Sequence, residues 1–317
     1  MALPQARNAP AQKESRKQWG DHEGAVLDSV GGYDAIACEV CGFVHVVPLP
    51  GESELASIYK ESYYAETKPD YLVRAREDDP WARLSFDDRL DLLTSHLPAS
   101  GRRLLDIGSG PGYFVQRAIE RGFAAEGIDP SRQACAHARS LGVPVTEGFY
   151  DDEVVMKLGT FDAITLTNML EHVADPIGLL ARAHRSVSPG GLICVTVPND
   201  YNQLQETLRR GAGLKPWWVA PPHHLNYFTF SSLSALLARV GFKELARSTS
   251  FPMELFALMG DVYIGDDVLG RACHKKRVNF DLSFAKAGVP EVRKLIYAAL
   301  AEVDLGREAI LIAQKTS

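Results

Sequence analysis

The sequence predicts an α/β fold built around a parallel sheet, and three observations support this prediction. From about residue 82 to 250, short apolar runs alternate with segments of helical pattern, which is typical of parallel strands joined by crossover helices. The runs lack a regular polar alternation, as expected of strands covered on both faces. The first run leads directly into a glycine-rich loop, LLDIGSGPG, and such a strand–loop–helix unit presents backbone amides to a ligand crevice.

The composition is that of a packed globular protein. Of its 317 residues 46% are hydrophobic and 23% are charged, which are ordinary proportions. No run approaches the ~20 apolar residues that a membrane helix needs, and the first residues lack the pattern of a secretory signal. The net charge of −6 gives no overall basic excess of the kind that nucleic-acid binders carry. We therefore expect a cytoplasmic protein with neither nucleic acid nor a membrane as its partner; the oligomeric state stays open.

Composition and pattern divide the chain into five zones. A flexible polar tail comes first, then a small N-terminal zone with short strand-like runs, then the α/β core, a helical insertion and a final core strand. Their expected bounds are 1–19, 20–80, 81–253, 254–306 and 307–317.

The core strands are short and evenly spaced. We expect the last two to form an antiparallel pair that flanks the helical insertion in sequence. Between the earlier strands, Ser131, Asp175 and either Thr229 or Ser231 stand where helix N-caps are expected. The predicted strands are 103–107, 124–129, 144–148, 161–167, 191–198, 242–251 and 308–315.

The glycine loop suggests a nucleotide-like ligand, and two acidic residues indicate which one. Glycines at 108, 110 and 112 permit a tight turn and a close approach of the ligand to the backbone. Asp129 ends the second core strand, where a carboxylate can accept hydrogen bonds from both ribose hydroxyls. Asp106, just before the loop, would repel a pyrophosphate at close range. A ligand with a sulfonium and an ammonium group suits it better, which favours S-adenosylmethionine over NAD.

Four segments together resemble a known family. LLDIGSGPG, GIDPS, FDAITLTNMLEHVADP and SPGGLICVTVPN follow one another over roughly residues 100–200. In this order they resemble the successive motifs of the class I S-adenosylmethionine-dependent methyltransferases. The resemblance implies a Rossmann-like, seven-stranded methyltransferase sheet with a reversed last strand. It also implies that Asp106, Gly108, Gly110 and Gly112 line the methionine moiety, Asp129 holds the ribose, Pro130, Gly148 and Phe149 meet the adenine, and Asn168 and Met169 approach the methionine part.

Three residues are candidates for the chemistry of methyl transfer. His172, in the EHV segment after the fourth strand, is either a base or a residue that orients a loop by a hydrogen bond. The segment HLNYFT resembles part of the sugar C-methyltransferases, which implies an active-site role for His224 and Tyr227. Those enzymes often have Glu where this chain has His223, so the resemblance to them is partial.

A cluster of tyrosines precedes the core. Tyr63, Tyr64 and Tyr71 lie in YKESYYAETKPDY, at the position of an N-terminal lid over the cofactor. We expect Tyr64 to cover the cofactor and the other two to be packing residues.

The small N-terminal zone contains a possible zinc site. Cys38 and Cys41 are spaced so that two thiolates can converge on one ion. His22 and His45 could complete a Cys2His2 set, which would stabilise a zone with little apolar core of its own. The sugar C-methyltransferases carry an N-terminal zinc module, but with a second Cys-x-x-Cys pair that this chain lacks.

The resemblance implies an enzyme that transfers a methyl group from S-adenosylmethionine to a small molecule, either a sugar derivative or a secondary metabolite. Whether the methyl group goes to oxygen, carbon or nitrogen stays open. The alternatives to methyl transfer are an NAD-dependent oxidoreductase and a non-catalytic partner protein that binds S-adenosylmethionine.

Overall fold

In the computed structural model, the described part of the chain comprises residues 15–51, residue 55 and residues 71–316, of which 71–73 as backbone only. Two sheets lie in this part. None of the helices described there combines the length and apolarity needed to cross a bilayer.

The larger sheet has seven strands in the order β11-β12-β9-β8-β5-β6-β7. The five strands from β5 to β9 run parallel, and β12 is antiparallel to both of its neighbours. This confirms the predicted sheet with a reversed last strand. The bounds are β5 Arg103–Ile107, β6 Ala124–Asp129, β7 Val145–Glu147, β8 Phe161–Thr167, β9 Val187–Pro198, β11 Phe242–Ser248 and β12 Glu308–Lys315.

Strand β9 begins four residues earlier than its apolar pattern predicted. Its first residue, Val187, pairs with Phe161, and the register of β9 against β8 then shifts before Ala163. The turn-like residues Pro189 and Gly190 are thus absorbed into an irregular strand, since a bulge accommodates extra residues without ending the pairing.

Helices cover both faces of this sheet, and three of the predicted caps are present. Ser131, Asp175 and Thr229 each accept a hydrogen bond from a backbone amide in the first turn of their helix. The described helices are α1 Tyr71–Glu77, α2 Asp79–His96, α3 Tyr113–Glu120, α4 Arg132–Ser140, α5 Asp152–Leu158, α6 Pro176–Ser186, α7 Gln203–Ala212, α8 Phe230–Arg239, α9 Glu254–Leu258, α10 Asp267–Lys286 and α11 Pro290–Glu302.

The helical insertion lies between β11 and β12 in sequence, as predicted, and comprises α9, α10 and α11. It is bound to the core through α2. Trp81 Nε1 donates to Asp281 Oδ2 over 2.6 Å, and Arg293 forms a 2.7 Å ion pair with Asp88. The insertion therefore stands over one end of the sheet.

The smaller sheet has five strands in the order β1-β2-β3-β4-β10, where β1 is Arg16–Trp19, β2 His22–Val30, β3 Tyr33–Cys38, β4 Val44–Val47 and β10 Asn226–Tyr227. The flexible tail expected over 1–19 is wrong for residues 16–19, because their backbone pairs with β2. Strand β10 was not predicted. It belongs to the core segment HLNYFT and joins the two sheets, since its residues pair with β4.

The junction between the two sheets is also packed by aromatic rings. Phe43, beside β4, and Phe228, just after β10, lie with ring centroids 5.0 Å apart, and Phe228 is fully buried. Both belong to the main hydrophobic core. The small sheet is thus an extension of the same core.

Phe228→Ala tests this junction. We expect a loss of about 3–5 kcal/mol in the free energy of unfolding, because the substitution leaves a cavity where the two sheets meet. The exposed Val268 is the matched control, and Val268→Ala should change stability by less than about 0.5 kcal/mol. Urea unfolding measures both. Equal stabilities for the two variants would show that the ring contact does not join the sheets.

Candidate functional site

A cavity of about 700 Å³ opens at the carboxyl ends of β5, β6 and β8. This is the edge at which open α/β sheets bind their ligands, and the volume suits a nucleotide-sized molecule. Most of the residues predicted to hold the cofactor line this cavity. They are Asp106, Gly108, Gly110, Asp129, Pro130, Gly148, Phe149, Asn168 and Met169.

Among the described residues, one predicted cofactor residue, Gly112, does not line the cavity. Gly112 is the N-cap of α3, and a Cβ on it would come within 2.8 Å of the Ala138 Cβ. Because Gly112 has no Cβ, the start of α3 can approach α4 closely. Tyr64 lies outside the described residues.

The glycine loop is fastened to the end of β6. The amides of Gly108 and Ser109 donate to the carbonyl of Ile128, over 2.8 and 3.1 Å. Asp129 Oδ2 accepts from the Gly110 amide at 2.8 Å, and its Oδ1 accepts from the Ser131 amide at 2.9 Å. Burial raises the pKa of Asp129, and these two amide bonds oppose the rise. The carboxylate thus holds the loop while it lines the cavity.

Gly127, which the sequence analysis did not single out, sets how closely this loop can approach. A Cβ at Gly127 would lie 2.4 Å from Ser109 Oγ. Only a glycine therefore lets the loop lie on β6 in this position. The sequence signal was a glycine inside an otherwise apolar strand, which often marks a close backbone approach.

Asp106 lies at the floor of the cavity and is 3% exposed. It accepts a 2.6 Å hydrogen bond from Thr165 Oγ1. Burial raises the pKa of Asp106 to about 7, although Thr165 and the charge of Arg89 oppose the rise. In the ligand-free protein this carboxyl group is therefore largely protonated below pH 7, and a cation beside it would favour its ionised form.

Arg89 is a second cavity residue that the sequence analysis missed. It is 4% exposed, and its Nη1 reaches Thr167 Oγ1 at 3.3 Å and Thr196 Oγ1 at 3.5 Å. Its Nε is buried and has no hydrogen-bond partner among the described residues. A buried guanidinium with an unused donor is suited to bind a carboxylate. The sequence does contain a signal that Arg89 points into the protein. It follows Phe86 by three residues and precedes Leu93 by four, so it lies on the apolar face of α2.

The histidines predicted for the chemistry lie together beside the cavity. His172 lines it, and its Nδ1 lies 2.6 Å from the carbonyl of His223, so this nitrogen is assigned as the donor. The ring of His224 packs edge-on against His172, with centroids 4.9 Å apart. Glu171 Oε1 lies 3.7 Å from His172 Nε2. A ligand atom from each of Glu171, His172 and His224 lies within 4.8 Å of the others.

Tyr227 is placed differently. It is 2% exposed and belongs to a hydrophobic cluster with Trp218 and Leu225. Its hydroxyl donates to the carbonyl of His224 at 2.9 Å and accepts from the Ala220 amide at 3.2 Å. Tyr227 is not among the residues that line the described cavities, and it connects two ends of the loop around Pro221 and Pro222.

The thiols and imidazoles of the small sheet form one cluster. One ligand atom from each of His22, Cys38, Cys41 and His45 lies within 4.8 Å of the others. His22 Nδ1 lies 3.3 Å from Cys41 Sγ and 3.7 Å from Cys38 Sγ. A tetrahedral zinc ion with bonds of about 2.0–2.3 Å places its ligand atoms about 3.3–3.8 Å apart. The observed spacing therefore suits such an ion.

His45 shows which of its ring nitrogens could bind metal. Its Nδ1 lies 3.0 Å from the carbonyl of Val46, which assigns the proton to that nitrogen. Its Nε2 is buried and has no hydrogen-bond partner among the described residues. Burial lowers the pKa of His45, which favours the neutral ring, and burial raises the pKa of the Cys41 thiol to about 12. A bound cation would give the unused Nε2 of His45 a partner. It would also offset the free-energy cost of burying a charged thiolate.

The remaining cysteines are packing residues. Cys135 and Cys194 are buried in the core beside the sheet. Cys273 is also buried and packs against Met253 and Phe256 in the insertion.

Comparison with known proteins agrees with this geometry. A family model described as a methyltransferase domain matches residues 79–246. A ubiquinone biosynthesis O-methyltransferase of Chromobacterium violaceum is 32% identical over 117 residues, which are 35% of this chain and 50% of that protein. The corresponding protein of Rhizobium etli is 36% identical over 107 residues, 32% of this chain and 43% of its own length. The chain thus spans about half the length of the curated relatives it matches.

Among solved structures, a magnesium protoporphyrin IX methyltransferase from Synechocystis with bound S-adenosylhomocysteine is similar, with a TM-score of 0.49 and 13% identity. The match covers 80% of this chain and 97% of that one. The decisive comparison is the family model, because it matches more than half of the chain. The chain belongs to the class I S-adenosylmethionine-dependent methyltransferases.

Proposed function

We propose that this protein transfers the methyl group of S-adenosylmethionine to a small-molecule acceptor. The observation that supports this most strongly is the arrangement of Asp106 and Asp129 around one glycine loop. Both carboxylates are buried in the same cavity, and a buried carboxylate calls for a hydrogen-bond donor or a cation. A ligand with ribose hydroxyls, an ammonium group and a sulfonium provides these, whereas the pyrophosphate of NAD would add negative charge beside Asp106.

The cavity offers a complementary group for each part of the cofactor. Asp129 keeps free lone pairs after its two amide bonds and would accept the ribose hydroxyls. Asp106 would face the ammonium group and Arg89 the carboxylate of the methionine moiety. Phe149 is 41% exposed at the cavity rim, where an adenine ring could pack against it. When bound, the cofactor supplies an electrophilic methyl group, and the protein's task is to position the acceptor and exclude water.

We propose that His172, His224 and Tyr227 act together as positioning residues for the loop 221–229. His172 donates to the carbonyl of His223 through Nδ1, and the ring of His224 packs against that of His172. The Tyr227 hydroxyl links the backbone of Ala220 to that of His224. Two further hydrogen bonds join this loop to the segment around His172. The Leu225 amide donates to the carbonyl of Glu171, and Asn226 Nδ2 donates to the carbonyl of Val173. These bonds support the orienting alternative for His172 over that of a base.

Binding of S-adenosylhomocysteine tests the proposed function. We expect the purified chain to bind S-adenosylmethionine and S-adenosylhomocysteine in calorimetry and to show no heat with NAD. Asp129→Ala should bind S-adenosylhomocysteine about 10–100-fold more weakly, a loss of ~1–3 kcal/mol, because charged hydrogen bonds to the ribose and to the loop disappear.

The matched control for Asp129→Ala is Glu126→Ala. Glu126 lies on the same strand and pairs with Arg103, so this variant should bind as the wild type does. Tight binding of NAD without a response to S-adenosylhomocysteine would overturn the proposed function. Unchanged affinity in Asp129→Ala would show that the ribose is held elsewhere.

Asp106 predicts how cofactor affinity depends on pH. Because its pKa in the folded protein is about 7 and its ordinary value is 3.8, it is protonated and neutral in weakly acidic solution. Only its ionised form attracts the ammonium group. We therefore expect affinity for S-adenosylmethionine to increase from about pH 5.5 to about 7.5, by up to tenfold per unit below the pKa.

Asp106→Asn should abolish this dependence and bind weakly throughout, because the amide carries no charge at any of these pH values. Asp261→Asn, which removes a carboxylate on the insertion that pairs with Lys276, should keep the wild-type profile. Calorimetry across the pH range measures all three. A flat profile for the wild-type protein would contradict the assignment of Asp106 to the ammonium group.

We also propose that His22, Cys38, Cys41 and His45 hold a structural zinc ion. The unused Nε2 of His45 and the ligand spacing support it. The hydrogen bond from His45 Nδ1 to Val46 resembles the outer contacts that orient zinc-binding histidines. Four protein ligands leave no position for a substrate, so the ion would stabilise the small sheet. Thiol ligands persist in a reducing compartment, which supports a cytoplasmic location.

Metal analysis of the purified protein tests the zinc site. We expect about one equivalent of zinc, and chelation should lower the melting temperature because metal binding contributes to folding. Cys41→Ser should lose the metal, whereas Cys273→Ser, at a buried cysteine far from the cluster in sequence, should retain it. Less than about a tenth of an equivalent, with no change on chelation, would show that the cluster is not a zinc site.

A further inference from the structure

A second cavity, of about 350 Å³, adjoins the first. The two share five lining residues, Phe86, Arg89, Tyr113, Thr167 and Asn168. The second cavity lies between α2, the insertion helices α10 and α11, and the ends of β8, β11 and β12. A molecule in it would therefore lie next to whatever occupies the methionine end of the first cavity.

Aromatic rings form much of its wall. Trp81 and Phe86 come from α2, Tyr113 from α3 and Tyr297 from α11. Two of them are fixed in place by one buried carboxylate, since Trp81 Nε1 and the Tyr297 hydroxyl both donate to Asp281. Fixed aromatic walls suit a planar ring, because ring stacking and edge contacts need little reorganisation.

The charges of the wall disfavour an anion. Among the described lining residues, carboxylates outnumber guanidinium groups by five to three. Arg293 is paired with Asp88 at 2.7 Å, and Arg89 also faces the first cavity. An additional carboxylate or phosphate would thus be placed among like charges, which is unfavourable in a partly buried site.

Glu308 lines the second cavity and contacts Asn168, which lines both cavities. Its Oε2 accepts from Ser250 Oγ at 2.6 Å, and its Oε1 lies 3.3 Å from Asn168 Nδ2. Asn168 follows β8, lines both cavities and has a left-handed backbone with φ of 48°. Both hydrogen-bond donors to Glu308 are uncharged, although the guanidinium groups of Arg277 and Arg307 are close enough to interact with its charge. Its longer contact leaves lone pairs available on Oε1.

We propose that the second cavity holds the methyl acceptor, that this acceptor is a hydroxylated aromatic compound without negative charge, and that Glu308 hydrogen-bonds its reacting hydroxyl. The inference rests on the proposed function, since it assigns the partner of the same methyl donor. In the reaction, a lone pair of the acceptor oxygen forms the O–C bond. The S–C bond breaks as its electron pair returns to sulfur, and the hydroxyl proton passes to the Glu308 carboxylate.

Three catechols that differ only in charge test the acceptor class. Catechol is neutral, dopamine is a cation and 3,4-dihydroxybenzoate is an anion at pH 7. We expect the first two to bind the full chain saturated with S-adenosylhomocysteine, and the anion to bind at least about tenfold more weakly. Calorimetry measures binding, and tritiated S-adenosylmethionine measures transfer to the hydroxyl.

Glu308→Gln tests the role of the carboxylate. We expect kcat for catechol to fall about 100-fold, with KM within about threefold, and the discrimination against 3,4-dihydroxybenzoate to shrink. Glu302→Gln, at an exposed carboxylate near the end of α11, is the matched control and should leave both properties unchanged.

The outcomes separate this inference from the proposed function. If S-adenosylhomocysteine binds but none of the catechols does, or if the anion binds as tightly as catechol, the acceptor assignment is wrong and the proposed function stands. Unchanged kcat in Glu308→Gln would remove the carboxylate from the reaction. Failure to bind S-adenosylhomocysteine at all would overturn the proposed function and the inference together.

Discussion

The two hydrogen bonds that Asp129 accepts from the glycine loop and from the start of α4 are the interaction on which the site depends. They join Gly110 and Ser131 through one buried carboxylate at the end of β6. The glycine loop therefore has a defined height above the sheet, and the absence of a side chain at Gly127 lets it lie there. Asp106, Arg89 and the carboxylate of Asp129 then line one cavity in a fixed arrangement. Preorganisation of this kind reduces the cost of ordering a ligand.

The small sheet and the insertion both contact elements at the carboxyl edge of the larger sheet. The small sheet gains β10 from the loop that ends beside His172 and His224. A metal ion at its His and Cys cluster would stiffen β4, and β4 pairs with β10. The insertion contributes Asp281 and Tyr297, and Asp281 accepts hydrogen bonds from Tyr297 and from Trp81 of α2. In the proposed function the larger sheet binds the methyl donor, and in the further inference the insertion contributes to the cavity for the acceptor.

Much of the larger sheet could be predicted from the sequence because its strands are continuous apolar runs. The observed bounds of β5, β6, β8 and β12 coincide with the predicted ones. A buried strand can be recognised from its own sequence, because its residues form a continuous apolar run. The caps Ser131 and Asp175 were predictable for the same local reason. Strand β10 was not, because two residues with no apolar alternation become a strand only when β4 lies beside them.

In the candidate site, too, some residues can be recognised from their sequence neighbours and others only from the folded structure. Asp106, the glycine loop and Asp129 carry their signal in adjacent residues. Arg89 and Glu308 do not, because each reaches its cavity only after the chain has folded. Arg89 lines the first cavity from α2, and Glu308 lines the second from the last strand. Tyr227 has a functional-looking sequence context, yet its hydroxyl joins two parts of one loop. A motif identifies such a residue, and only the packing around it shows what it contacts.

A crystal structure of the full chain with S-adenosylhomocysteine tests the central claim most directly. The account predicts the ribose hydroxyls within about 3 Å of the Asp129 carboxylate, and the amino group of the ligand within the same distance of Asp106 or the glycine-loop carbonyls. A ligand bound with its ribose away from Asp129, or outside the cavity between β5, β6 and β8, would contradict it.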